Sequence, residues 1–75
     1  MILFEYICEN QKIVSGLVRY GVLPVDIEFK IRVYRTYLEH RQSAKRVQAV
    51  ENTAKQIGGS FRNVYGIIQK MEQEV

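Results

Sequence analysis

Two side chains in this sequence have the chemistry of a nucleophile and its base, Cys8 and His40, and each is the sole residue of its type. A thiol works as a nucleophile when a neighbouring imidazole takes its proton. The surroundings of these two predict otherwise. Cys8 falls in an apolar helical arc, where a lone cysteine reads as a small buried hydrophobe. His40 stands between Glu39 and Arg41 and reads as solvent-exposed. One cysteine forms no internal disulfide, and with one histidine there is no closely spaced Cys/His set for zinc. Gly58-Gly59 lacks the Gly-Lys-Ser/Thr that would make it a phosphate loop. These residues predict no enzyme, no metal, no cofactor and no small-molecule substrate.

A second group promises binding. Its members surround the paired glycines: Lys45, Arg46 and Lys55 before them, then Ser60, Phe61, Arg62, Asn63, Tyr65, Gln69 and Lys70. Charge is unevenly divided along the chain. Residues 1–28 hold Lys12 and Arg19 against Glu5, Glu9, Asp26 and Glu28, a net −2. Residues 29–75 hold nine basic and four acidic side chains, a net +5. The basic half contains the binding candidates, which points to a polyanionic partner.

The elements that must position them read as helices. At 75 residues the chain is one domain, all-α, with four helices predicted. Leu3, Ile7, Val14, Leu17 and Val18 recur at helical spacing, so Met1–Tyr20 reads as the first helix, stopped by Gly21. Its apolar arc is wide. Part of it reads as a homodimer seam, a common source of burial for a chain this short. The start MILFEYICE lacks a basic leader, and no segment approaches the roughly 20 apolar residues that span a bilayer. A cytoplasmic location, away from membranes, is the expectation.

Pro24 opens a second helix to about Gln42, with Asp26 and Glu28 in its first turn and Ile27, Ile31, Tyr34 and Leu38 as its apolar row. The same residues 27–33 alternate apolar and charged, so a strand competes there. Ser43 reads as the cap of a third helix, Ala44–Ile57, with Val47, Val50, Ala54 and Ile57 on one face. A continuous bent helix from Pro24 to Ile57 is the alternative. Ser60 caps the last helix, Phe61–Glu74, with Val64, Ile67, Ile68 and Met71 inward. Residues 1–42 thus read as N-terminal helices with a dimerisation role, and 43–75 as a helix-turn-helix.

The helix-turn-helix reading rests on spacing. Two steeply crossing helices need a small residue at their approach, here Ala54, and a residue tolerating positive φ at the turn, here Gly58 four residues on. Val50, Ile57, Val64 and Ile67 supply the facing apolar surface. Thr53-Ala54, Gly58, Ser60 and Val64-Tyr65-x-Ile67-Ile68 resemble the helix-turn-helix of many bacterial and phage regulators and site-specific recombinases. The pattern is especially similar to the C-terminal part of the Mor/C-type phage transcription activators. The resemblance spans residues 47–71 and departs from the common pattern at Gly59, where a bulky apolar residue usually follows the turn glycine.

The resemblance implies sequence-specific binding of double-stranded DNA, with a recognition helix of about residues 60–73 in the major groove, and transcription regulation of phage or mobile-element type. Ser60, Phe61, Arg62, Tyr65 and Gln69 then face bases, with Arg62 suited to guanine O6 and N7. Lys45, Arg46, Lys55, Asn63 and Lys70 then face phosphates. The runner-up is a protein-interaction or assembly module, such as a small terminase-like subunit or adaptor.

Overall fold

The computed structural model describes all 75 residues. Five helices follow in order: α1 Leu3–Glu9, α2 Gln11–Arg19, α3 Asp26–Arg41, α4 Arg46–Ile57 and α5 Phe61–Met71. The fifth arises because the predicted first helix breaks at Asn10, whose backbone leaves helical geometry at φ −117° and ψ 29°. Its side-chain amide donates to the Tyr6 carbonyl at 2.8 Å. Asparagine favours such a break because its short amide competes with the helical backbone for hydrogen bonds.

Gly21, at φ +79°, stops α2 as predicted. Val22 N–H reaches back to the Leu17 carbonyl at 2.8 Å and Gly21 N–H to Val18 at 3.1 Å, closing the helix end. Residues 27–33 are helical, and no strand forms. A single antiparallel bridge, Ile2 with Glu74, ties the two chain ends. It ends α5 at Met71 rather than near Glu74. Leu3 N–H donates to the Gln73 carbonyl and Val75 N–H to Met1. The second and third predicted helices are separate. Ser43 does not cap α4; Lys45 holds that position, without a side-chain bond. Residues 42–45 are spent on the turn, where the Arg41 guanidinium donates to the Ala44 carbonyl at 3.0 Å.

The core belongs to α3, α4 and α5. Val33, Tyr34 and Tyr37 meet Ala49, Val50 and Ala54, and both sets meet Val64, Ile68 and Met71. Ile7 of α1 is the one N-terminal side chain fully enclosed with them. Small residues on α4 let the helices approach. Thr53 sits among them fully buried, and its hydroxyl is satisfied by donating to the Ala49 carbonyl at 2.7 Å. Because Ala49 and Thr53 draw the buried face to their side of the helix, Val47 lies past its opposite edge and is 59% exposed, against its predicted place inside. Leu38 is likewise 39% exposed at the far end of the α3 row. Cys8 is only half-buried, and His40 is half-buried rather than free, with Nε2 at 2.8 Å from the Gln56 amide oxygen.

The α4–α5 turn is Gly58-Gly59-Ser60. Gly58 takes φ +82°. Its N–H and that of Gly59 both donate to the Ala54 carbonyl, at 2.8 and 3.0 Å. The Ser60 hydroxyl accepts from Asn63 N–H at 3.2 Å, as predicted for the cap. Gly59 is different in kind: a Cβ there would stand 3.6 Å from Val64 Cγ2, an ordinary contact, in a backbone any residue adopts. Gly58→Ala should therefore lose about 1–2 kcal/mol in urea denaturation, from left-handed strain. Gly59→Ala should be neutral or gain up to about 1 kcal/mol. Equal losses at both positions would refute this account of the turn.

Candidate nucleic-acid interface

The rotation of α5 about its axis is set by Val64, Ile68 and Met71, which are buried against α3 and α4. With 100° between successive residues, the opposite crest carries Arg62, Gly66 and Gln69. All three are exposed. The crest is flanked by two unlike surfaces.

One flank is aromatic. Phe61 stacks on Tyr65 with ring centroids 5.8 Å apart and planes 14° apart. The Arg46 guanidinium lies 5.7 Å from the Tyr65 ring and 6.0 Å from that of Tyr37. Arg46 is also ion-paired: its Nη2 stands 2.8 Å from Glu72 Oε1, and its Nη1 donates to the Tyr37 hydroxyl at 3.3 Å. The other Glu72 oxygen accepts from the Tyr34 hydroxyl at 3.0 Å. The guanidinium is thus held by α3 and by the segment after α5. Hydrogen bonding to Glu72 raises its proton affinity further. Among the residues predicted to meet phosphate, Arg46 is the one already holding an internal anion.

The other flank is basic. Lys30 of α3 joins Arg62, Asn63, Gly66, Ile67 and Lys70 of α5 around an open notch of about 370 Å³. Arg62 and Lys70 have no ion-pair partner. Lys30 reaches Asp26 Oδ2 at 3.5 Å, one turn back on its own helix, in an exposed pair. Such a pair is worth under about 1 kcal/mol. No motif in the sequence marks Lys30. Its approach to α5 depends on how α3 crosses that helix, which no local pattern records. Lys45, at the cap of α4, and Lys55 within it are exposed and do not line the notch.

Gly66 is the centre of the crest. A Cβ built on it meets nothing within 4 Å, and its φ is not positive. Neither close packing nor a turn requires glycine there, although glycine costs a helix about 1 kcal/mol against alanine.

No family model, curated protein or solved structure matches this chain.

Burial, reinforced by the bond to Glu72, pushes the Tyr34 hydroxyl well above its ordinary value of 10.0. Folded Tyr34 keeps its proton where the unfolded chain has lost it. Its contribution to stability is therefore complete below pH 10 and drains away as pH rises above that value. The urea midpoint should fall more steeply above pH 10.0 in the native chain than in Tyr34→Phe. Parallel curves would exclude a protonated Tyr34–Glu72 bond as a source of stability.

Proposed function

We propose that this chain binds double-stranded DNA through α5. In this reading α4, the glycine turn and α5 act as a helix-turn-helix, and the chain is a transcription regulator of phage or mobile-element type. The observation that carries it is the bare backbone at Gly66. It lies mid-crest, with no internal cause, between Arg62 and the unpaired Lys70. A helix that must come close to another surface gains from having no side chain at its nearest point. The cations beside it select an anionic surface.

Arg62 and Gln69 on the crest reach base edges, Arg62 by two parallel hydrogen bonds to guanine. Phe61 offers a thymine methyl its ring edge, and Ser60 and Tyr65 complete the contact from the helix start. Lys70, Asn63, Lys45 and Lys55 take phosphates. Arg46 holds the aromatic flank in place from behind.

The chain acts as a homodimer in this proposal, with two copies of α5 placed one helical turn apart, about 34–36 Å. The support is apolar surface on and after α2. Ile13 is 62% exposed and Tyr20 82%, and α2 has no fully buried residue. The same surface favours the alternative, a protein-interaction or assembly module, in which α2 meets a different chain. A salt series on random duplex separates the two. A DNA binder loses affinity steeply between about 50 and 200 mM salt, and an adaptor binds weakly throughout.

Arg62→Ala should cost about 1–3 kcal/mol on a selected site and abolish preference for it. Lys70→Ala should weaken all duplexes alike. Identical behaviour of the two variants would remove Arg62 from base reading. Gly66→Ala should raise unfolding stability by about 1 kcal/mol while weakening duplex binding, measured on the same preparation. Unchanged binding there would take away the main support for close approach.

A further inference from the structure

We infer that the notch between α3 and α5 is a seat for a backbone phosphate of duplex DNA, and that Asp26 holds its third cation in reserve. This rests on the duplex-binding reading and extends the interface to a helix outside the α4–α5 unit.

An α-helix with its side chains is about 10–12 Å across, and the major groove is about 12 Å wide. A helix lying in it presents its crest to the bases and its flanks to the two phosphate rows. The notch is on a flank. Three cations from two helices border it: Lys30 and Lys70 face the phosphate row, and Arg62, on the crest side, keeps its reach to the bases. The Asn63 side chain and the uncovered Gly66 segment lie between them. Three positive charges around one concavity repel one another, and an anion in their midst relieves that repulsion.

Asp26 is the acidic group paired with a cation of this notch. It holds Lys30 Nζ at 3.5 Å and lines the adjoining groove with Lys30, Asn63 and Ile67. Phosphate in the notch competes with Asp26 for the same ammonium. Asp26 therefore opposes binding although it neutralises no residue of α5. Ordinary membership in a basic surface would not single out this carboxylate.

The test is duplex affinity against salt, by fluorescence anisotropy, for the native chain, Lys30→Ala, Lys30→Arg and Asp26→Asn. Each is checked for folding by circular dichroism. Lys30→Ala should weaken selected and random duplexes alike, about three- to ten-fold, and lower the salt slope by about one. Lys30→Arg should restore most of it. Asp26→Asn should tighten binding about two- to five-fold, with the gain shrinking at high salt. It should also slightly destabilise the fold, because Asp26 sits in the first turn of α3 where negative charge is favourable.

Duplex binding that ignores both positions would overturn the phosphate seat and leave the duplex reading standing. A chain that binds no duplex, yet shows amide shifts at Gly66 and Lys70 with tripolyphosphate, would overturn both in favour of a free phosphate ligand. Absence of both responses would also overturn both.

Discussion

Burial of Val64, Ile68 and Met71 against α3 and α4 is the constraint on which this molecule depends. It is possible because α4 offers small or compact side chains, Ala49, Val50, Thr53 and Ala54, on the face it turns inward. In a chain of this length no second core exists to compensate. One apolar strip thus does two things. It supplies much of the hydrophobic burial, and it fixes which side of α5 looks outward. Any shift of that helix about its axis would bury Arg62 or uncover Ile68, and both cost free energy. The crest is as well defined as the core beneath it.

A polar cluster completes the arrangement at the far end of α5. Tyr34 from α3, Arg46 from α4 and Glu72 after α5 meet in one connected set, roofed by Phe4 at 4.7 Å from the Tyr34 ring. Arg46 is only partly enclosed, so its ion pair is not a large source of stability. Its geometry matters more. One guanidinium in contact with two aromatic rings and a carboxylate has few alternative positions, and the ring of Tyr65 is positioned by it. The basic character of the outer surface then falls to side chains without internal partners, Arg62 and Lys70 above all.

The N-terminal part is built on weaker ties. The break at Asn10 separates α2 from α1, and Val14 is the α2 side chain packed on the core; the join between Ile2 and Glu74 keeps α1 against α5. Leu17 and Val18 are half-buried, and Ile13, with Tyr20 and Val22 beyond the helix end, is exposed.

Much of this was legible in the sequence, because much of it is local. The stop at Gly58, the cap at Ser60, the inward row of α5 and the outward place of Arg62 follow from glycine's left-handed freedom, a hydroxyl's reach to the next turn and the 3.6-residue period. Each acts within one or two turns of chain. The apolar row of α3, too long for a strand, is local in the same way. The break at Asn10, where one amide outweighs an apolar periodicity, and the outward places of Val47 and Leu38 are not legible there. The rest was decided between helices. Lys30 meets Arg62 and Lys70, and Arg46 meets Glu72, only because α3, α4 and α5 cross at particular depths and angles. Those crossings come from the summed packing of the whole core, to which no single stretch of sequence holds the answer.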